Sequence, residues 1–192
     1  MLLTPKIQLA INKAAELHLS MVRKGDDAPY IIHPFTVAFI LSHYTSDENT
    51  ICAGLLHDVL EDVKGYGEAK MLKDFGQEIT DIVKEVSEDK DPNVVTDEKA
   101  TWQERKEEYL ANMRNDSQEA LMISCADKIH NLSCMIAAYK EQGEKLWDRF
   151  NSPKDKKFWF YEEVYKILEQ RLDSEMVKEL RLLIDQAREL FK

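Results

Sequence analysis

The sequence predicts an all-α protein. Apolar residues recur every three or four positions along most of the chain, which is the period of amphipathic helices. No stretch keeps the strict apolar–polar alternation that a half-buried β-strand requires. With 192 residues and no evident internal repeat, the chain is expected to form a single domain over residues 1–192, or one domain with a helical extension.

Composition limits the classes of function. Hydrophobic residues make up 44% of the chain, which is enough for a sizeable core. The formal net charge is −10, from 36 acidic and 26 basic residues. A general nucleic-acid binder, or a protein that binds acidic membranes, needs a basic surface, so neither class is expected. A small anionic substrate held by a few local Lys or Arg side chains is compatible with this charge.

The cysteines and the N-terminal segment favour a cytoplasmic protein. Cys52, Cys125 and Cys134 form no CxxC pair and lie in apolar contexts, which is typical of buried, reduced thiols. The N-terminal segment carries Lys6 and Lys13 and lacks the long apolar core of a signal peptide. No segment approaches the ~20 apolar residues that a membrane-spanning helix requires.

Two helices are predicted in the first quarter of the chain. Thr4 and Pro5 provide a cap and a first-turn proline for helix 1, which is expected to run to about Arg23. A loop rich in Gly, Asp and Pro follows over 23–30. Pro34 can begin the second helix. The apolar face of that helix comprises Val37, Ile40, Leu41 and Tyr44.

The middle of the chain is predicted to alternate helices with one polar loop. Helix 3 is expected to contain residues 53–62 and to end near Gly65. The expected ranges that follow are 66–75 and 76–87 for two helices, 88–93 for a polar loop and 96–115 for a highly charged helix. The charged helix has four large apolar side chains to bury: Trp102, Tyr109, Leu110 and Met113. Both a mobile flap and a plain surface helix fit this pattern.

Three more helices are predicted towards the C-terminus. Asp116 and Ser117 provide a cap for an apolar helix that extends to at least Leu132. The residues from Trp147 onwards are expected to form two helices, the first of them dense in aromatic side chains. Such an aromatic cluster is usually part of a core, and stacking on a substrate is the alternative interpretation.

The stretch 53–62, with the sequence AGLLHDVLED, carries the strongest chemical signal. On a helix, one histidine and three carboxylates fall within an arc of about 140°. They are His57, Asp58, Glu61 and Asp62. Gly54 lies one turn earlier and is expected to leave room for a ligand to approach. The last two carboxylates lie near a helix C-terminus, where the macrodipole disfavours negative charge. An unfavourable placement of charge that no neighbouring residue visibly compensates indicates a functional site.

Four residues are candidate metal ligands: His33, His57, Asp58 and Asp127. Two imidazoles and two carboxylates suit Mn²⁺, Fe²⁺, Co²⁺ or Zn²⁺ better than Ca²⁺, and the lack of thiolate ligands argues against a structural zinc site. The fold would have to bring His33 and Asp127 to the His57–Asp58 pair, since spacing alone does not select them. A structural ion-pair network is therefore the alternative. Glu61, one turn further on, and its neighbour Asp62 could handle the proton of a metal-bound water.

These residues resemble the H…HD…D signature of the HD-domain metal-dependent phosphohydrolases. Within that superfamily, the chain is similar to the RelA/SpoT-type hydrolases of guanosine tetra- and pentaphosphate, especially the small stand-alone forms. The similarity covers roughly residues 14–135. The matching residues are His18, Arg23-Lys24-Gly25, Pro29-Tyr30-Ile31, His33-Pro34, Val37-Ala38, Leu55-Leu56-His57-Asp58, Glu61-Asp62, Phe75-Gly76 and the run from Ala126 to Leu132.

The resemblance implies an HD-type bundle of about eight to ten helices, with C-terminal helices over 145–192 packed on the motif core. It implies one bound metal ion, usually Mn²⁺, on the four candidate ligands. Glu61 and Asp62 would promote attack of water on a 3′-diphosphate, with release of pyrophosphate. The residues that would contact this small phosphorylated nucleotide are Arg23, Lys24, Asn131 and Lys90.

The sequence also departs from the family pattern. Ser20 and Met21 stand where the family commonly has Gly-Gln, and 91–115 has no convincing match. Other phosphorylated nucleotides are therefore alternative substrates, such as NADPH through its 2′-phosphate or nucleoside mono- and triphosphates. A catalytically silent nucleotide-sensing module is a further alternative, against which the intact pair of Glu61 and Asp62 argues. The chain is too short for the synthetase and regulatory domains of long relatives, so a hydrolase alone is expected. The oligomeric state stays open.

Overall fold

The computed structural model describes residues 3–23, 27–88, 97 and 99–192. Within them the chain forms α-helices and one 3₁₀ helix but no named strand, so the predicted all-α class is confirmed. The helices are α1 Pro5–Leu17, α2 Ile32–Tyr44, α3 Glu48–Leu56, α4 Val59–Asp62, α5 Glu68–Phe75, α6 Gln77–Val86, α7 Trp102–Met113, α8 Gln118–Gln142, the 3₁₀ helix η1 Gly143–Arg149, α9 Lys154–Arg171 and α10 Glu175–Leu190. No helix of this described part is long and apolar enough to cross a bilayer.

Helix α8 is the centre of the fold. It packs against α2, α3, α6, α9, α10 and η1. The hydroxyl of Ser117 caps its first turn, because Oγ accepts a hydrogen bond from the amide of Ala120 at 3.2 Å. Consecutive residues from Ile123 to Ala126 are buried, so more than one face of the helix is covered, as expected for a helix that is apolar on several sides. Asp127 follows them directly.

Helices α2 and α3 approach each other closely at Gly54. The expectation that Gly54 leaves room for a ligand is wrong, because Leu41 of α2 fills this space. A Cβ atom added at Gly54 would overlap with Cδ1 of Leu41, whose side chain is fully buried. Glycine therefore lets the two helices approach each other without displacing the Leu41 side chain.

Helix α1 ends at Leu17, so the prediction that it continues to about Arg23 is wrong. Two backbone hydrogen bonds connect described residues after it instead. The Tyr30 amide donates to the Met21 carbonyl at 2.8 Å. The Arg23 amide donates to the Ala28 carbonyl at 2.9 Å. These two hydrogen bonds take the place of further helical turns. The spacing of apolar residues could not predict them, because Met21 and Arg23 pair with residues that come several positions later in the chain.

The stretch 53–62 forms two helices, where one was predicted. Helix α3 ends at Leu56, α4 begins at Val59, and His57 and Asp58 form a turn between them. The backbone of Asp58 has φ −89° and ψ −5°, which is at the edge of the helical region and interrupts the regular hydrogen bonds. His57 and Asp58 therefore lie on the turn, and Glu61 and Asp62 lie on the short helix that follows it.

Several predicted helices are shifted or shorter in the structure. Helix α2 begins two residues before Pro34, and α5, α6 and α7 begin at Glu68, Gln77 and Trp102. Gly76 separates α5 from α6 with φ +84°, a conformation that favours glycine. The four apolar residues expected to be buried on the charged helix are its buried residues. Residues 89–96 and 98, in the predicted loop and helix start, lie outside the described residues.

The C-terminal helices pack on the rest of the bundle. Helix α10 contacts α8 and α9, and α9 contacts α7 and α8. The two predicted helices are therefore present, although Trp147 itself lies in the 3₁₀ helix η1 that precedes them. Phe160, Tyr161 and Tyr165 of the aromatic segment are buried. The aromatic cluster thus belongs to the core at these positions.

We expect Gly54→Ala to lower the free energy of unfolding by about 1–2 kcal/mol, because the new methyl group overpacks against Leu41. The better helix propensity of alanine offsets part of the cost. In a Leu41→Ala background the same change should be neutral or stabilising, since the space is vacant. Urea unfolding of the four proteins measures this coupling. An equal cost in both backgrounds would show that Leu41 is not the cause.

Candidate active site

The turn between α3 and α4 presents His57 and Asp58 to the same point. His57 is buried, and its Nδ1–H donates to the Gly54 carbonyl at 2.8 Å. This hydrogen bond selects the tautomer in which Nε2 keeps its lone pair. His57 Nε2 lies 3.2 Å from Asp58 Oδ2. The pair therefore offers one nitrogen and one oxygen donor atom side by side.

Helices α2 and α8 bring the other two predicted ligands to this pair. His33, in the first turn of α2, is 2% exposed. Its Nε2 lies 3.2 Å from His57 Nε2 and 3.4 Å from Asp58 Oδ2. The same atom lies 3.1 Å from Oδ1 of Asp127 on α8. His33 Nε2 is thus the common neighbour of the three other donor atoms, and three separate parts of the chain meet there.

His130, which lies in the matched run from Ala126 to Leu132 but had no predicted role, orients His33. The Nδ1 atoms of the two rings are 2.7 Å apart, and His130 Nε2 lies 3.3 Å from the sulfur of Cys134. If His33 donates from Nδ1 and His130 donates from Nε2, every polar atom of the relay is satisfied and His33 Nε2 keeps its lone pair. Cys134 is half-buried and lines a cavity, which corrects the prediction that all three cysteines are buried.

Three of the donor atoms, those of His33, His57 and Asp58, are close enough together to hold one divalent cation. Atoms about 2.1 Å from a shared ion are about 3.0 Å apart at octahedral angles and about 3.4 Å apart at tetrahedral angles. The contacts of His33 Nε2, from 3.1 to 3.4 Å, fall in this range. His33, His57 and Asp58 each offer an atom within 4.8 Å of the others, whereas Asp127 is not part of that group and contacts it through His33 Nε2, at 3.1 Å from Oδ1. Lone pairs and carboxylates packed this closely repel one another unless a cation lies among them.

Asp127 belongs to a polar network that also contains two predicted substrate contacts, Arg23 and Asn131. Burial opposes its ionisation, but the Lys128 ammonium and His33 outweigh burial and hold the pKa of Asp127 well below its usual range. Lys128 forms an ion pair with Oδ2, and the side-chain amide of Asn131 donates to Oδ1. Arg23 Nη2 donates to Asn131 Oδ1 at 3.0 Å. Arg23 and Asn131 are therefore connected to the metal-side carboxylate.

Tyr30 joins two of the carboxylates, and sequence analysis gave it no role. Its hydroxyl donates to Asp58 Oδ2 at 2.7 Å and lies 3.4 Å from Asp62 Oδ2. Burial, with the charges of Asp58 and Asp62, raises the pKa of Tyr30 well above its usual value, so the hydroxyl stays a donor. The ring contacts those of His18 and His33, at centroid distances of 5.0 and 5.8 Å. Only its place in the matched motif pointed to it.

Glu61 lies one turn beyond Asp58 in a different electrostatic environment. Burial, together with the charges of Glu88, Asp62 and Asp58, raises the pKa of Glu61 to about 8. Burial also opposes the charge of Asp58, but His57 and His33 outweigh it and lower the pKa of Asp58. One carboxylate is thus kept anionic, while the other can exchange a proton near neutral pH, as acid–base catalysis requires.

These groups line a cavity of about 760 Å³, a volume typical of small-molecule sites. The described cationic residues in its wall are Arg23, Lys64, Arg105, Lys106, Lys128 and Lys157. The described carboxylates in its wall are Asp58, Glu61, Asp62, Glu88 and Asp127. These cationic side chains outnumber these carboxylates by one, and a divalent cation would make this charge balance more positive, which suits a polyanionic ligand within an otherwise acidic protein.

Two predicted substrate contacts, Lys24 and Lys90, lie outside the described residues, so their roles stay predictions. The aromatic residues Phe160 and Tyr161 are buried and also line the cavity, so the two interpretations of this cluster overlap there. Trp102 and Tyr109 of α7 line the same cavity. The charged helix is therefore part of the wall of the site as well as part of the surface.

A family model described as HD domain matches residues 10–152 of the chain. The guanosine-3′,5′-bis(diphosphate) 3′-pyrophosphohydrolase MESH1 of Xenopus tropicalis is 39% identical over 141 residues, which cover 69% of this chain and 73% of that protein. The GTP pyrophosphokinase of Streptomyces coelicolor is 36% identical over 141 residues, which cover 73% of this chain. The chain matches only 16% of the length of that protein.

Two solved structures are similar over most of their length. The first, described as a metazoan ortholog of SpoT that hydrolyzes ppGpp, matches with a TM-score of 0.79 and 27% identity over 99% of both chains. The second, lmo0812 from Listeria monocytogenes, matches with a TM-score of 0.69 and 27% identity, covering 85% of this chain and 97% of that one. The chain belongs to the HD-domain family, within which it is of the RelA/SpoT type.

Proposed function

We propose that the protein is a metal-dependent phosphohydrolase that removes the 3′-diphosphate of guanosine 3′,5′-bis(diphosphate)-type nucleotides and releases pyrophosphate. The observation that carries the proposal is the convergence of His33, His57, Asp58 and Asp127 in a cavity rich in cations. The similarity to MESH1 and to a SpoT ortholog over most of the chain supports this substrate class. The acidic net charge favours a small nucleotide over a nucleic acid as the partner.

The proposed metal ligands are the four converging residues, and the proposed ion is Mn²⁺, with Fe²⁺, Co²⁺ or Zn²⁺ as alternatives for the same mixed N/O set. The ion would acidify a water molecule and polarise a phosphoryl oxygen at this site. The hydrogen bonds of the Gly54 carbonyl and of His130 orient the two imidazoles for this task. Tyr30 does the same for Asp58.

Glu61 and Asp62 are proposed to handle protons. Glu61 Oε2 faces the amide of Glu88 at 3.4 Å, which leaves Oε1 to accept the proton of the attacking water. The bond between phosphorus and the ribose 3′-oxygen then breaks, and that oxygen receives a proton. A carboxyl group whose pKa is raised to about 8 can serve in both directions. Asp62, whose Oδ2 lies near the hydroxyl of Tyr30, would orient the water.

Arg23, Asn131, Lys24 and Lys90 are the proposed substrate contacts. The guanidinium of Arg23 is held towards the site by its hydrogen bond to Asn131, which places a cation beside the metal-side network. Guanidinium groups bind phosphate through paired hydrogen bonds. We also propose a cytoplasmic location, for which the free thiols of the three cysteines are supporting observations.

His57→Ala should abolish stoichiometric metal binding, because it removes one of two imidazole ligands from the set. The measurement is elemental analysis of the purified protein after Mn²⁺ loading and dialysis. His43→Ala, at an exposed position of α2, is the matched control and should keep its metal. Unchanged metal content in His57→Ala would mean that the ligand set is wrong.

The Mn²⁺-loaded protein should release pyrophosphate from guanosine tetraphosphate, and Glu61→Gln should lower kcat by about 10²- to 10⁴-fold while metal content is retained. Product analysis by chromatography measures both, with Glu78→Gln on the exposed side of α6 as the control. A panel with NADPH and common nucleotides accompanies it. Turnover of a panel member without turnover of the tetraphosphate would contradict the substrate, and turnover of none would contradict the enzyme.

Glu61→Gln should also stabilise the metal-free protein at alkaline pH. Because the pKa of Glu61 is raised to about 8 in the folded protein, folding holds its proton, and stability falls as pH rises from about 4.5 to about 8. The glutamine removes this loss, so the variant should exceed the wild type by on the order of 1–3 kcal/mol at pH 8.5 and by less at pH 5. Urea unfolding at both pH values is the measurement. A pH-independent difference would argue against the buried proton.

A further inference from the structure

We infer that Glu88, Arg105 and Lys106 form a clamp that positions the carboxylate of Glu61. This inference deepens the proposed function, on which it rests, by giving the charged helix α7 a role in it. The three residues line the cavity but belong to neither the metal ligands nor the proposed substrate contacts. Together these three residues form the Glu88 clamp.

The Glu88 clamp is built around a buried anion. The Glu88 side chain is only 6% exposed, and each of its carboxylate oxygens has its own cation. Arg105 Nη1 donates to Oε2, and Lys106 Nζ donates to Oε1. Burial opposes the charge of Glu88, but Lys106 and Arg105 outweigh it and lower its pKa. A buried carboxylate with two cations is held in one orientation, because moving it would leave charges without partners.

Both cations have further contacts that hold them, Lys106 with α9 and Arg105 with the start of its own helix. Lys106 Nζ lies 4.7 Å from the centre of the Phe160 ring on α9, a favourable cation–π distance. Arg105 Nε donates to the hydroxyl of Thr101, at the start of α7, at 3.3 Å. The clamp therefore fixes Glu88 relative to both α7 and α9.

The Glu88 clamp acts on Glu61 through the backbone amide of Glu88. Helix α6 ends at Val86, so the amide of Glu88 is no longer part of a helix. That amide points to Glu61 Oε2 at a distance of 3.4 Å. Because the side chain of Glu88 is fixed by two cations, the direction of its own N–H is restricted too. The electrostatic contributions agree, since Glu88 raises the pKa of Glu61 and Lys106 lowers it. The clamp thus sets both the position and the surroundings of the proposed acid–base group.

The test uses the full chain loaded with Mn²⁺ and three variants. Lys106→Met removes the charge and keeps an unbranched side chain beside Phe160, Lys106→Arg keeps the charge, and Glu88→Gln keeps the shape without the anion. Lys140→Met, at an exposed position of α8 outside the cavity, is the control for loss of a lysine. Kinetics with guanosine tetraphosphate, metal content, circular dichroism and amide hydrogen exchange at residue 88 are measured for each protein.

Misplacement of an acid–base group lowers kcat more than KM. We expect Lys106→Met and Glu88→Gln to lose about 10- to 100-fold in kcat with KM changed by less than about 3-fold and metal content unchanged. Lys106→Arg should restore most of kcat relative to Lys106→Met. The amide at residue 88 should exchange about 10-fold faster or more in Lys106→Met, since its orientation is lost.

Three results would overturn the clamp. One is an unchanged kcat in folded Lys106→Met, and another is an effect confined to KM, which would make Lys106 a substrate contact instead. The third is unchanged amide exchange, and this measurement needs no substrate. If the wild type does not turn over the tetraphosphate, the proposed function fails while amide exchange still decides the clamp. If Lys106→Met does not fold, Glu88→Gln and Lys106→Arg carry the same comparison.

Discussion

The contact between His33 and three other donor atoms is the constraint on which the rest of the structure depends. His33 Nε2 lies within 3.4 Å of donor atoms from a second imidazole and two carboxylates, at a largely buried point of the fold. Such a cluster is unfavourable unless every outer atom is paired. The fold supplies these partners from separate elements: the Gly54 carbonyl, His130, Tyr30 and Lys128. Packing around α8 serves to hold them in place.

The same burial separates the carboxylates into two chemical types. Asp58 and Asp127 face imidazoles and a lysine, so their pKa values are lowered and they stay anionic. Burial, with the charges of neighbouring carboxylates, raises the pKa of Glu61 to about 8. Asp58 is therefore suited to bind a cation, and Glu61, about one helical turn further along the chain, is suited to transfer a proton. This division follows from the neighbours of each group, because isolated Asp and Glu side chains titrate within about half a pH unit of each other.

Helix α7 connects the surface of an acidic protein to the cationic cavity. Five of its 12 residues are charged, and it packs on α6 and α9, with four apolar residues buried. Arg105 and Lys106 then project into the cavity, where they neutralise Glu88. A net charge of −10 is thus no obstacle to binding a polyphosphate, because the relevant charges are local. The similarity to small RelA/SpoT-type proteins is consistent with this distribution.

Local patterns determined the helical class, most of the helices and the chemical prominence of the His57–Asp58 pair, since these depend on residues three or four positions apart. The family motif then selected His33 and Asp127, which periodicity alone could not connect. Only the tertiary structure decided features that depend on distant partners. These are the Leu41 contact that explains Gly54, the bridging hydroxyl of Tyr30 and the hydrogen bond between His33 and His130. Each of these contacts joins atoms from different parts of the chain, and the order of residues in a sequence does not give the distance between such atoms.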